Sequence, residues 1–563
     1  MFLLDLLQLS LSSMESNATI LRRRPRHISF MDIRNSTRCH FSEKTNTNIT
    51  DMCDFVTHTL SCHYFMANID YLKIIFCYFK IPLDGIVVFM GCLMMLILYG
   101  LIYMLTKYFF LPNFEMLMDL VPISSYTFGY AGFGLFFFMP EYLETGLTCL
   151  FQNSYEATLR LSGFFGDLMR YFVLGICTLC VNGYKVRGLT LWSSILFLLM
   201  GYFYLIIVVL RKYEIFQQQN LINDDLYTLK FSAVSILIIF ILYMMANVLI
   251  SYNKTKKERK QMGLDLKRMT STNLVKESSE WKWWQIWWST VNGYETMKEP
   301  IVGVVTVLTP FYFLAANLIP VIDKKRHLHG WCKVIACTSY LFLPFMCIPF
   351  NPWPSLWLML LLNCWGIALT ILCATRARRV PNHLAFYAIS GMFICTLCNS
   401  YLLQEINNMI WQFVNWRYNP TPQMITQMYF NSGEIFSAIV LLFSLIRSNK
   451  LDVAFGVIMS MSTYTIYSAL PQLVLHVCYN RNTYLVITAT SESCNTFSIV
   501  MIVCALFHIS ISGNEFRVSL LLYLLTLMIG YMIFQWMTFN SWVHPIGTLH
   551  NIQSPREPST MWA

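Results

Sequence analysis

The chain has 563 residues, 56% hydrophobic, 16% aromatic and only 12% charged, with 40 basic against 30 acidic side chains for a formal net charge of +10. That composition excludes a soluble globular protein, in which about a quarter of residues are charged. With 42 Phe, 31 Tyr and 32 Met it also excludes a disordered, collagenous or small disulfide-scaffold chain.

The first 30 residues hold a short apolar stretch, Met1 to Leu11, broken by Asp5 and followed by Arg22, Arg23, Arg24 and Arg26; it fits neither a signal nor a transit peptide cleanly, and leaves location open. Residues 1–82 read as an exoplasmic segment, with glycosylation acceptors at Asn17, Asn35 and Asn48. Cys39, Cys53, Cys62 and Cys77 are its disulfide candidates, of open connectivity. Apolar windows of about 20 residues then predict spans near 83–107, 121–143, 161–182, 189–210 and 229–250, a first transmembrane group over 83–250. A basic loop, NKTKKERKQMGLDLKRM (Asn253 to Met269), opens a linker over 251–333 that also carries EWKWWQIWW (Glu280 to Trp288), an interfacial anchor by its tryptophans. A hairpin over 334–375 follows, and then spans near 384–404, 423–446, 451–477, 494–513 and 517–539, a second group over 384–540 with a tail over 541–563.

Basic residues orient these spans. With the N-terminus outside, Lys185 and Arg187 and the Asn253 to Met269 loop fall inside, as the positive-inside rule prefers. If the doubtful run 301–322 also crossed, Lys324 to Arg326, Arg376 to Arg379 and Arg447 with Lys450 would all lie outside. An interfacial or re-entrant 301–322 brings them inside and leaves twelve spans. The first five spans then start from outside and the last five from inside, so the expected fold is an all-α polytopic membrane protein of two inverted five-helix repeats, joined by a linker and a helical hairpin. Such repeats are the architecture of alternating-access transporters, whose substrate binds at the repeat interface on broken helices.

The second span of each group carries the candidate chemistry. In LVPISSYTFGYAGFGLFFFMPEYLETG (Leu120 to Gly146), Pro140 breaks the helix and Glu141 follows it. In TPQMITQMYFNSGEIFSAIV (Thr421 to Val440), Gly433 is the expected helix break, and Asn431, Ser432 and Glu434 around it bring amide, hydroxyl and carboxylate oxygens to one point, with Ser437 a turn further on. Hard cations such as Ca²⁺ and Na⁺ take such oxygens together with freed carbonyls, and an acid inside a membrane is functional by default. Glu141 also admits a solvated position at a helix end. Asp167 and Arg170, three residues apart, fit an internal ion pair better than a cation ligand. Cys177 and Cys180 form a C-x-x-C inside an apolar span, where small core residues are expected, and His508 is expected packed or hydrogen-bonded.

These stretches resemble the alpha repeats of the sodium/calcium exchanger superfamily, with signatures of the type G-N-x-A-P-[DE] and G-N-S-x-G-[DE]. Met139, Pro140 and Glu141 fall on the first, and Gly433 and Glu434 on the second, within alpha regions at 120–182 and 421–477. The chain looks most like the mitochondrial sodium/calcium exchanger branch of the cation/calcium exchangers. MCDFVTHTLSCHYFMANIDYLKIIFCYF (Met52 to Phe79) and LTPFYFLAANLIPVID (Leu308 to Asp323) with Trp331 support that branch. The resemblance implies exchange of Ca²⁺ for Na⁺, with Li⁺ or K⁺ as further candidate ions, and with Glu141, Glu434, Asn431, Ser432 and Ser437 as cation ligands. It implies no enzymatic activity and no cofactor, and leaves open the oligomeric state and the choice between mitochondrial inner and plasma membrane. Phe136, Phe137 and Phe138 stand where the G-N-x portion belongs, and Tyr429 and Phe430 where a Gly-Asn pair is usual. A transport-deficient relative that binds or regulates a partner is therefore the alternative expectation.

Overall fold

A computed structural model describes residues 53, 56–57, 62, 69–79, 84–137, 154–186, 192–205, 223–261, 280–292, 302–347, 354–381, 383–418, 422–429, 431–479, 489–540 and 542–546. In chain order, α1 (Tyr71–Lys73) widens into a π turn at Ile74–Tyr78, and α2 (Asp84–Leu105) passes through another at Thr106–Phe110 into α3 (Leu111–Leu120). α4 (Ser125–Phe137), α5 (Ser154–Cys180), α6 (Trp192–Leu205) and α7 (Asn223–Gln261) complete the first group. α8 (Trp283–Val291), α9 (Val302–Leu318), α10 (Lys333–Met346) and α11 (Pro354–Ala374) follow. The last group is α12 (Leu384–Tyr418), α13 (Pro422–Met428), α14 (Ser432–Arg447), α15 (Leu451–Tyr464), a π turn at Thr465–Ala469, α16 (Leu470–Tyr479), α17 (Ala489–Ile511) and α18 (Val518–Phe539). One antiparallel ribbon, β1 (Tyr184–Lys185) with β2 (Glu515–Phe516), pairs Tyr184 with Phe516 and Lys185 with Glu515.

Among the described residues nine helices are long and apolar enough to cross a bilayer, which makes this a multi-pass membrane protein. Helices are what lipid allows, because it offers backbone amides no other partner. The sequence predicts twelve spans. The difference lies at α4, α6 and α10, which are shorter than a span and each abut residues outside the described set. Two of the π turns end two residues before a proline inside an apolar run, Pro112 and Pro471. Proline donates no N–H and crowds the carbonyl four residues back, so a wider turn carries the helix through without a break.

Burial sorts the helices into two layers. The apolar windows of α15 with α16 and of α5 are 100% and 94% buried, whereas those of α7, α11 and α18 are 11%, 17% and 22% buried. α5 and α15 therefore form the middle of the bundle, while the outer helices turn Ile238, Leu242, Leu369 and Leu522 outward, as lipid-facing surfaces do. Glycine brings the central helices into backbone contact. A Cβ on Gly129 of α4 would lie 2.3 Å from the Val453 carbonyl oxygen of α15, and one on Gly456 of α15 would lie 2.3 Å from that of Tyr126. A Cβ on Gly166 of α5 would lie 2.2 Å from the Gln427 carbonyl oxygen of α13.

Helices α2, α3 and α12 pack along one side of this core. Gly91 meets the Phe413 ring, the Cys395 thiol lies 3.4 Å from the Leu105 carbonyl oxygen, and Gly391 meets Asn113, so α2 and α3 run antiparallel to α12. Asn113 is buried and explains how the 319–332 crossover is held. Its amide nitrogen donates to the carbonyls of Phe109 and Pro320, both at 2.9 Å, and its oxygen accepts from Ile322 N at 2.8 Å. α10 and α11 form a hairpin closed by Lys333 Nζ on the carbonyls of Leu372 and Thr375, at 2.6 and 2.9 Å.

The basic clusters gather at one end of the bundle. Lys324 pairs with Asp119 at 2.8 Å and Lys450 with Glu115 at 2.9 Å, both at the foot of α3. Lys185 pairs with Glu515 across the ribbon, Tyr184 donates to Asp452, and Trp331 Nε1 donates to the Arg376 carbonyl. Ser124 N donates to Ser251 Oγ at 2.6 Å, which brings the basic C-terminal part of α7 to the same end. Trp281 stacks on His327 with centroids 4.2 Å apart, and Trp287 Nε1 donates to Asn317 at 2.9 Å. The described chain thus stands at this end both before the 17-residue α9, at residues 280–292, and after it, at residues 319–332. Trp283, Trp284 and Trp288 of α8 are exposed there.

Candidate functional site

The site grows from the gap between α13 and α14. Helix α13 ends at Met428 and α14 begins at Ser432, with Asn431 between them in the left-handed region at φ 55°. Asparagine tolerates that conformation because its short amide bonds locally, and here it bonds to two other helices. Asn431 N donates to Asn407 Oδ1 of α12 at 3.0 Å, and Asn407 Nδ2 donates back to Asn431 Oδ1 at 3.1 Å. Asn431 Nδ2 donates to Asp167 Oδ2 of α5 at 2.6 Å. The other Asp167 oxygen accepts from Arg170 Nη2 at 2.6 Å, an ion pair whose side chains are 1% and 6% exposed. Arg170 is spread over two further oxygens, the carbonyls of Met428 at 3.0 Å and Gly166 at 3.2 Å. The Met428 carbonyl has no successor helical turn to bond with, so the guanidinium satisfies an orphan of the break.

Past the break, the Ser432 and Ser437 hydroxyls face α2 and α12. Ser432 Oγ is 2.8 Å from the Tyr99 hydroxyl, and Ser437 Oγ is 2.6 Å from Thr106 Oγ1 in the π turn and accepts from Asn399 Nδ2 at 3.3 Å. Glu434 is buried in the first turn of α14, where the helix N-terminus favours a negative charge. The break falls between Met428 and Ser432, so Gly433, where the sequence places it, is already helical; a Cβ there would lie 2.7 Å from Leu403 Cδ2, which gives the glycine a packing role. Gln427 anchors α13, its Nε2 donating to Ser162 and Ser491, both at 2.9 Å. Pro140, Glu141 and Phe138 lie outside the described residues, as do the side chains of Phe136 and Phe137.

Sequence patterns alone did not single out α12, which faces two ways. Asn399 and Asn407 bond to α14, while Glu405, Asn408 and Gln412, at spacings of three and four, face the segment before the first span. Tyr71 donates to Glu405 Oε2 at 2.9 Å, Leu72 N donates to Gln412 Oε1 at 3.1 Å, and Asn408 Nδ2 donates to the Ile69 carbonyl at 2.7 Å. Glu405 Oε1 is buried and accepts no hydrogen bond from the described residues. Cys53 and Cys77 form a disulfide beside this segment and Cys62 is also disulfide-bonded, while Cys39 lies outside the described residues. The polar density of NSYLLQEINNMIWQ (Asn399 to Gln412), too high for a lipid-facing helix, was the available signal. Cys177 and Cys180 are free and buried, and His508 Nε2 lies 3.0 Å from Ser519 Oγ. Among the described residues no three His, Cys, Asp or Glu side chains converge as a metal cluster. The oxygens at the break are mostly neutral, a set suited to a weakly held hard cation.

Compared with protein families, with curated proteins and with solved structures, the chain matches none.

Proposed function

We propose that the chain is a secondary antiporter exchanging Ca²⁺ for Na⁺ by alternating access, a diverged relative of the sodium/calcium exchangers built from two inverted five-helix repeats. The observation that carries this is the crossed packing of the centre. α4, in the second span of the first group, lies on α15, in the third span of the second; α5, in the third span of the first, lies on α13 and α14, the second span of the second. Exchanging the groups turns one contact into the other, as a two-fold relation between repeats requires. Glu434 supplies charge at the broken helix, Glu141 is its counterpart by sequence, and Asn431, Ser432 and Ser437 supply neutral oxygens. Rocking of one repeat against the other would open these oxygens to each side in turn, Na⁺ and Ca²⁺ competing for them.

A transport-deficient membrane protein with the same fold is the second reading, favoured by Arg170, whose fixed guanidinium already holds the Met428 carbonyl. Ca²⁺ flux into proteoliposomes under an imposed Na⁺ gradient separates the two. Exchange predicts flux that requires Na⁺ and is lost in Glu434→Gln; folded wild-type protein giving no flux above empty vesicles would exclude exchange.

A further inference from the structure

We propose that the Arg170 guanidinium is a tethered cation, seated at the helix break in a position that a mobile monovalent cation would otherwise hold. This rests on the antiport reading only in taking that mobile ion to be a transported one. The seat is made of oxygens. The carbonyls of Gly166 and Met428 and one carboxylate oxygen of Asp167 surround the guanidinium at 3.2, 3.0 and 2.6 Å. The second carboxylate oxygen is held by Asn431, which the break itself places.

These groups have different origins, and that is why the arrangement reads as an ion position rather than a helix-surface pair. Asp167 and Arg170 share one helix and would form an i, i+3 pair wherever that helix lay. The Met428 carbonyl belongs to another element and is available only because α13 stops there. A freed carbonyl beside a buried carboxylate is the ligand pattern of a cation at a discontinuous helix. One carboxylate with neutral oxygens balances one positive charge, which selects a monovalent ion over Ca²⁺, whose sites gather more charge. Arg170 supplies that charge permanently. The seat is neutral at all stages of a transport cycle, and the buried carboxylate is never left uncompensated, a state that would cost several kcal/mol.

Removing the guanidinium should therefore create a binding site. The experiment uses the full chain in detergent and compares wild type, Arg170→Met, which keeps side-chain length without charge, and Asp167→Asn with Arg170→Met. Bound Na⁺ per chain is counted by equilibrium dialysis with radioactive Na⁺ against choline at constant ionic strength, and melting temperature is followed over the same Na⁺ series. The expected result is one additional bound Na⁺ in R170M relative to wild type, with saturable thermal stabilisation, both lost in the double variant. No additional ion in R170M, or an additional ion that survives Asp167→Asn, overturns the proposal. Recovery of R170M only in the presence of Na⁺ supports it. Failure to recover R170M at any Na⁺ concentration overturns it, whether or not the double variant folds, because a mobile ion then cannot replace the guanidinium. The ion count needs no flux, so a wild-type chain inert in vesicles would remove the exchange reading and leave this one standing on its own result.

Discussion

Placing a methyl group on Gly129 sets the packing of the centre directly against a measurement. The Gly129→Ala Cβ would lie 2.3 Å from the Val453 carbonyl oxygen, whereas ordinary contact begins at 3.4 Å. The obstacle is backbone, so α4 and α15 must part by about 1 Å, and a gap of that size forfeits roughly a quarter to a half of the dispersion energy of the atoms facing it. Overpacking of this kind costs about 1–3 kcal/mol. Gly132→Ala in the same helix is the control, since the nearest atoms to its Cβ are those of the Phe128 ring, at an ordinary 3.5 Å. Gly366→Ala is a second, with nothing within 4 Å. Both should gain up to about 1 kcal/mol of helix propensity. Thermal melts of the three variants in one detergent should rank G129A well below wild type and the controls at or above it. Equal melting of G129A and G132A would falsify the close approach of the two helices.

Asn431→Gly keeps the left-handed turn and loses the side-chain bonds, at about 1–3 kcal/mol, whereas Asn431→Asp sets a second carboxylate against Asp167 and should cost more, nearer the 3–5 kcal/mol of a disrupted buried ion pair; melting that places the two in the reverse order refutes the Asn431–Asp167 contact. Tyr71→Phe leaves Glu405 Oε2 with Asn408 alone and should lower stability by about 1–3 kcal/mol, partly restored by Glu405→Gln; an unchanged melt means that the leading segment is not docked on α12. In sealed vesicles, single cysteines replacing Lys254 and Arg378 should react with an impermeant maleimide from the same side; opposite sides would mean that α9 changes the side on which the chain continues. Hydrogen bonds from Arg517 and Lys185 hold the Glu515 carboxyl below its usual range. Stability from the ribbon is then present above the unfolded carboxylate value and lost as pH falls through the lowered one, so the melting difference between wild type and Glu515→Gln, small for so exposed a pair, should close on acidification rather than widen.

The sequence by itself determined the solvent, the helical class and most of the span positions, because hydrophobic runs of bilayer length are a one-dimensional signal. It also determined that Asp167 and Arg170 pair, since three residues along a helix is a fixed distance. Basic clusters separated by long stretches of chain meet at one bundle end, which the charge pattern anticipates through the positive-inside rule. What only the tertiary structure decided is which oxygens share a point. Asn407 and Asn431 bond reciprocally across two helices, and Asn431 reaches Asp167 across a sequence separation of 264. No periodicity encodes such contacts, because they depend on how helices cross and on which glycines let them approach. The same holds for Glu405, an acid inside a span whose partner Tyr71 comes from 334 residues away. The break itself shows the division: Asn-Ser-Gly-Glu marked the place, but only the fold could bring the Arg170 guanidinium onto the carbonyl that the break sets free.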